Sequence, residues 1–389
     1  MELSEILNHL GEERERYFNA IAPPVVQSSN FVFRNLDAFR KAFADELREH
    51  VYTRGNNPTV QILRAKIAAL EGAEDALVFG SGAAAVAAAV IGNVQAGDHV
   101  VCQENPYSWT SKLLQKLLSR FGVEHDFVDG ADVNKIRAAL RPNTRVLYLE
   151  SPNTMTFELQ DLQACAALSR EYDLVSIIDN SACSPIFQQP IRHGIDIVVH
   201  SATKYLNGHS DVVVGALCGS ADMIRKLFES EFMTLGAALS PHDAALVLRG
   251  LRTLPLRVQR SHDTAMCLVQ RLKEHPRVER VWYPYDPDFP QYDLARRQMS
   301  GAGGLFSVAF KVGDIAEMEA VVGRFRRFLM AVSWGGYESL MIPSVGFYCN
   351  PNPKVQPSER LSWNFCRFYA GLEDPEWLWE DFCQALGWP

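Results

Sequence analysis

Residues 146–204 read VLYLESPNTMTFELQDLQACAALSREYDLVSIIDNSACSPIFQQPIRHGIDIVVHSATK. Three short apolar runs, VLYLE, VSIID and DIVVH, are separated by a helical stretch and a proline-punctuated loop. Runs of this length without polar alternation are buried on both faces. Their alternation with helices predicts a parallel sheet covered on either side. In such sheets ligands settle at the carboxyl ends of the strands. Two of these ends carry chemistry: Asp179 closes VSIID, and Lys204 follows DIVVH after Ser201 and Thr203. A lysine so placed is a snorkelling surface cation, a phosphate anchor or a nucleophile.

The same grammar extends outward. ALVFG leads into SGAAAVAAAVIGNV, and HVVCQE into SWTSKLLQKLLSRF, each an apolar strand followed by a helix. PTVQILRAKIAALEG is a helix opened by Pro58 and stopped at Gly72. Residues 1–55 read as an arm, a short charged helix followed by the extended IAPPVVQSSNFVF. Near 250 the pattern changes, and LRGLRTLPLRVQR is expected as a long helix leading into a second domain. There GGLFSVAFKV reads as a strand, and residues 315–329 and EWLWEDFCQALG as helices. The expected division is an arm (1–55), a large α/β domain (56–250) and a C-terminal domain (251–389).

Composition narrows the function classes. At 389 residues the chain exceeds the size at which one core keeps growing. Its net charge of −8 argues against a nucleic-acid or anionic-membrane surface, either of which needs a basic stripe. The longest small-residue run, GSGAAAVAAAVIG, is too short to span a bilayer. Eight cysteines are scattered, with no CxxC pair and no Cys/His cluster at metal-ligand spacing. With no apolar leader in the first residues, this usage predicts a reducing cytoplasm and no metal.

Four strand ends then converge on one ligand. Ser81, Gly82 and Ala83 open a helix, where free N–H groups and the helix dipole favour an anion. No GxxxxGK[ST] loop is present, so a nucleoside triphosphate is not indicated. Asp179 is costly at a buried strand end unless it meets a cation or donor, or it caps the next turn. Tyr107, on the loop after HVVCQ, can stack on a flat ligand or fill the domain surface. Ser201 and Thr203 can donate to phosphate, and Lys204 can condense with an aldehyde as a Schiff base. Pyridoxal 5'-phosphate needs this set: a lysine, a carboxylate for its ring nitrogen, a phosphate cup and a stacking group.

Across nearly its whole length the chain resembles the pyridoxal-phosphate enzymes of cysteine and methionine metabolism, the cystathionine γ-synthase, γ-lyase and β-lyase family. The resemblance is carried by HSATKYLNGHSDVVVGAL, VYTRGNNPTVQILRAKIAALEGAEDALVFGSGAAA, IIDNSACSPIFQQP, VSWGGYESL and CRFYAGLED. It implies the aspartate-aminotransferase-like fold, fold type I, with a mostly parallel sheet in the large domain and a smaller C-terminal α/β domain. Lys204 is implied as the cofactor-binding lysine and proton shuttle, and Asp179 as partner of the ring nitrogen. Gly82, Ala83, Ser201 and Thr203 are implied to hold the phosphate, and Tyr107 to stack on the ring and act in acid–base chemistry. Tyr52 and Arg54 are implied to reach a neighbouring subunit's phosphate, Tyr52 also its substrate. That makes the chain at least a dimer, and usually a tetramer. Arg367 is implied to clamp the substrate carboxylate, assisted by Ser333.

Bland readings stand beside these. Arg54 can be a surface cation, Tyr52 can pack under the arm, and Arg367 can pair with Glu373. His200 and His209 are expected in polar structural roles.

The reaction is legible only through spelling. Trp334 after Ser333, and ESPNTMTFEL in place of ESPTNP, resemble bacterial cystathionine β-lyases. The expectation is therefore a carbon–sulfur β-lyase, with γ-elimination or γ-replacement as the alternative. The family's ring-contacting asparagine falls at Thr154, with Asn153 one place earlier. Ala182 and Cys183 stand where the family has an aromatic, which either reshapes the pocket or is a compensated packing change.

Overall fold

The computed structural model describes residues 1–387 except 349, 353, 354 and 356–360. Seven strands form the larger sheet: β1 (Asp75–Phe79), β2 (His99–Gln103), β3 (Glu124–Val128), β4 (Thr144–Glu150), β5 (Val175–Asp179), β6 (Ile197–His200) and β7 (Gly215–Gly219). Their order is β1-β7-β6-β5-β4-β2-β3. All run parallel except β7, which lies antiparallel between β1 and β6. The apolar strands alternate their side chains between two cores. Ile177, Ile197 and Val199 pack on one face, and Ile178, Val198 and Leu149 on the other. This double burial accounts for runs without polar alternation.

A second, smaller sheet follows: β8 (Val278–Trp282), β9 (Leu305–Phe310), β10 (Leu329–Met330), β11 (Leu340–Pro343) and β12 (Phe365–Tyr369), in the order β10-β11-β12-β9-β8. Only β10 and β11 are parallel neighbours. The molecule thus has the expected α/β architecture, a mostly parallel sheet beside a smaller one.

Several element expectations need correction. The basic stretch near 250 is two helices, Pro241–Leu251 and Leu254–Glu274, because Pro255 at the start of the second lacks the N–H that would continue the first. The helix expected over 315–329 ends at Val322, and Leu329–Met330 pairs instead as β10. The extended arm contains an unforeseen amphipathic helix, Leu36–Ala44, capped by the Asn35 side chain. Strands β3 and β7 also went unread. β3 is only half buried and carries three polar residues, whereas β7 (GALCG) is rich in glycine and alanine.

The packing explains the composition of β7. A Cβ on Gly215 would lie 2.0 Å from the Ser81 carbonyl oxygen, and one on Gly82 2.9 Å from Ser201 Cα. The start of helix Gly82–Ile91 is therefore pressed against β7 and the lysine loop, at a distance only glycine allows. Among the described residues no helix is long and apolar enough to cross a membrane, and no cluster of His, Cys, Asp or Glu could hold a metal ion. The seven described cysteines are free thiols; Cys349 lies outside the described residues.

Candidate active site

Because β1, β2, β4, β5 and β6 point the same way, their carboxyl ends share one edge, and the chemistry collects there. Helix Gly82–Ile91 starts just beyond β1. Ser81 caps it by accepting the Ala84 N–H at 3.1 Å, leaving the Gly82 and Ala83 N–H groups without intrahelical acceptors. Ser201 stands against Gly82, so these expected phosphate donors are neighbours in space. Thr203 is nearby in the chain, but its Oγ1 accepts the Val214 N–H at 2.8 Å and lies 3.2 Å from the Val214 carbonyl. Its hydroxyl ties the lysine loop to the approach of β7.

Asp179 ends β5, nearly buried, with Oδ1 accepting the Ser181 N–H at 2.9 Å. The next residue, Asn180, donates to Glu71 and to the Gln188 carbonyl, both at 2.9 Å. His200 meets the same Glu71 oxygen at 2.5 Å, so a buried polar cluster braces the ends of β5 and β6. His209 bonds to the Asn207 carbonyl at 2.7 Å. Both histidines thus serve structure, as expected. Cys183 is fully buried in the core that also holds Ala202, Tyr205 and Phe187, whereas Ala182 is half-buried.

Lys204 is held from several sides. Buried Arg257, on helix Leu254–Glu274, donates to the Tyr205 carbonyl at 2.9 Å and the Gly250 carbonyl at 2.7 Å. Tyr205 in turn accepts the Gly304 N–H through its phenol oxygen at 2.7 Å, and its ring meets Trp334 edge-on at 5.3 Å. The Lys204 amine donates to Ser333 Oγ at 2.5 Å and lies 5.5 Å from the Trp334 ring centre. Ser333 sits at φ +84°, a conformation costly for a residue with a Cβ and sustained here by its surroundings. Burial, with help from the Arg367 charge and against the pull of Asp179, pushes the Lys204 amine down to about 8. An amine so poised is available as a nucleophile near neutral pH.

Arg367 comes from the other sheet. It lies on β12, is 7% exposed, and burial pushes it down to about 10. Among the described residues it makes no ion pair; it donates to the Thr154 carbonyl at 3.0 Å and hydroxyl at 3.2 Å. Glu373, its possible partner by sequence, instead accepts from Ser339 N and Oγ, both at 2.8 Å. A buried guanidinium with no carboxylate partner is a ready site for an anionic substrate group. Asn153 builds the turn that presents Thr154, its Oδ1 accepting the N–H groups of Thr156 at 3.1 Å and Phe157 at 2.8 Å.

Tyr107 is partly exposed beside this set; burial, then Asp179 and Glu150, hold its phenol above its ordinary range. Tyr52 and Arg54 do not join the cluster within one chain. Both are exposed, with the Arg54 guanidinium 5.7 Å from the Tyr52 ring centre. Glu150 escaped sequence reasoning. It ends β4 as Asp179 ends β5, and its carboxylate accepts the Tyr107 N–H at 2.6 Å. Its placement at a buried strand end was the available signal.

The family model for Cys/Met metabolism PLP-dependent enzymes matches residues 5–387. The chain belongs to that family. Its cofactor is pyridoxal phosphate, and the residues present fit that group: a desolvated lysine, a strand-end carboxylate, a glycine-lined helix start and an unpaired arginine. L-methionine gamma-lyase of Pseudomonas putida is 37% identical over 380 residues, 97% of this chain and 95% of that protein. Cystathionine gamma-lyase of Rattus norvegicus is 34% identical over 381 residues, 97% and 93% of the two chains. The crystal structure of metB from Corynebacterium glutamicum superposes with a TM-score of 0.91 at 31% identity, covering 100% of this chain and 98% of that one.

Proposed function

We propose that this family member is a lyase that eliminates the γ-substituent of a sulfur-containing L-amino acid, releasing a thiol, ammonia and 2-oxobutyrate. The observation that carries the reading is the alignment with two γ-lyases over 97% of the chain. It displaces the β-cleavage expected from Trp334 and ESPNTMTFEL, because nearly full-length similarity outweighs the spelling of two short segments.

In this reading Arg367 receives the substrate α-carboxylate with its remaining N–H groups while Thr154 holds the guanidinium, and Ser333 steadies the same end. Lys204 moves protons at the substrate's Cα and Cβ; its flexible stem and desolvated amine suit it to both positions. Bound pyridoxal phosphate supplies the electron sink that makes those protons removable. Asp179 offers its carboxylate to the ring nitrogen, and Gly82, Ala83 and Ser201 hold the phosphate, joined by Thr203 when its hydroxyl proton turns from the Val214 carbonyl. Tyr107 covers the ring and can pass its phenolic proton to the departing sulfur. Trp334, beside Lys204, borders the space for the substrate's tail. The arm (1–55) carries Tyr52 and Arg54 to a neighbouring subunit of a dimer or tetramer, and the cytoplasm is the setting.

Product analysis tests the reaction. With L-methionine and L-cystathionine as substrates, 2-oxobutyrate is the expected keto acid. Pyruvate with homocysteine from cystathionine, and no 2-oxobutyrate from either substrate, overturns the γ assignment in favour of β-cleavage.

A further inference from the structure

Glu150 and Asp179 are direct partners in the β4–β5 register, so two carboxylates stand on adjacent strands, on one face, at the floor of the site. Glu150 is 5% exposed. Its Oε2 accepts the Tyr107 N–H at 2.6 Å, and the nearby Thr154 N–H favours the charged form of the same carboxyl. Thr154 in turn holds Arg367 through its carbonyl and hydroxyl. One side chain therefore links the stacking tyrosine, the carboxylate clamp and the neighbourhood of the ring-nitrogen partner.

We propose that Glu150 is a positioning residue of the active site: as a neutral carboxylic acid it pins the Tyr107 and Thr154 backbones, and through Thr154 the Arg367 clamp, beside Asp179. The inference rests on the proposed function for the roles of Tyr107 and Arg367.

Charge balance requires the neutral form. The groups around Glu150 are Asp179 on β5, Arg367 on β12, Tyr107 after β2, and Tyr148 and Cys102 on β4 and β2. Burial holds Tyr148 and Cys102 uncharged, well above their ordinary ranges. Arg367 is the only cation among them, and the substrate carboxylate claims it. A carboxylate on the neighbouring strand then disfavours the charged form of Glu150. Consistent with this, burial and then the Asp179 charge push Glu150 up to about 8, against the opposing pull of its two backbone bonds and Arg367.

The sign of the pH effect follows. Glu150 holds a proton in the folded state from its ordinary value near 4.5 up to about 8, where the unfolded chain has released it. Its contribution to stability therefore declines as pH rises through that window and is gone above it. Glu150→Gln keeps an acceptor oxygen for the Tyr107 N–H and cannot ionise.

Holoenzyme of the wild type and of Glu150→Gln is melted from about pH 6 to about pH 9.5. The expected result is a decline in Tm toward alkaline pH in the wild type that is visibly smaller in Glu150→Gln. The variant also keeps kcat/KM for L-methionine within about threefold near neutrality. Glu150→Ala, which removes the acceptor, is expected to lower kcat/KM on the order of 10²-fold with a raised KM, because the clamp loses its support. Parallel melting curves for the wild type and Glu150→Gln overturn the neutral acid; wild-type KM and kcat in Glu150→Ala overturn the positioning role. If no 2-oxobutyrate forms from any substrate, the proposed function falls, while the melting comparison still decides Glu150.

Discussion

Lys204 and Arg367 reach the site by different routes, and their legibility differs accordingly. Lys204 was readable because a cation straight after a wholly apolar strand has few uses, and its hydroxyl neighbours narrowed them. Arg367 sits in FCRFY, whose strand pattern hides that its guanidinium emerges beside Thr154, more than two hundred residues away. Only resemblance marked it. Its lack of a carboxylate partner among the described residues is a tertiary fact, and it leads to a prediction. Arg367→Ala is expected to raise KM by about 10–100-fold, the worth of a desolvated charged hydrogen-bond pair, while the cofactor's visible absorption band remains. An unchanged KM in steady-state assays refutes the clamp. Glu150 went unread although it obeys the same strand-end rule as Asp179. The bond from the Tyr107 N–H to its carboxyl depends on a loop folding back over the sheet edge.

At the scale of elements, periodicity identified five of the six parallel strands and most of their helices, because double burial writes an unbroken apolar run. It missed β7, whose residues are chosen for smallness rather than for apolar bulk. Gly215 faces the Ser81 carbonyl, and the fit there joins β7 to the helix start assigned to the phosphate. Gly215→Ala therefore overpacks a backbone contact that no side-chain rotation relieves. It is expected to cost about 1–3 kcal/mol, seen as a lower urea midpoint, and to weaken cofactor retention. A midpoint equal to that of the wild type would show that the strand and helix start can separate freely. The overlong helix expected after Ile315 failed for a related reason. Leu329 and Met330 continue an apolar pattern, but pairing with Leu340 and Met341 takes them into a sheet.

The whole molecule brings its two sheets together at the lysine. Arg257 anchors the lysine loop from the long connecting helix, Trp334 flanks it from the loop before β11, and Arg367 enters from β12. Tyr52 and Arg54 remain exposed in the single chain, as do the arm's apolar residues Val32, Leu36, Phe39 and Phe43. This pattern fits an arm that is covered on assembly, and mixed oligomers test it. Arg54→Ala and Lys204→Ala, each inactive alone, are expected to regain part of the wild-type activity when unfolded and refolded together. A hybrid active site can then draw Lys204 from one chain and Arg54 from another. No recovery, in mixtures shown to exchange subunits, refutes a shared site.

The sequence by itself determined the α/β class and the cofactor, and singled out Lys204 as the candidate to bind it. Each of these is written locally, in strand periodicity and in residue types beside strand ends. What only the tertiary structure decided is the company those residues keep: Arg367 without an ion pair among the described residues, Thr203 tied to Val214, and Glu150 bound to the Tyr107 backbone beside Asp179. The physical reason is that charge and hydrogen bonding in a buried site depend on distances between segments far apart in the chain. Local pattern fixes each segment's form, and packing fixes those distances.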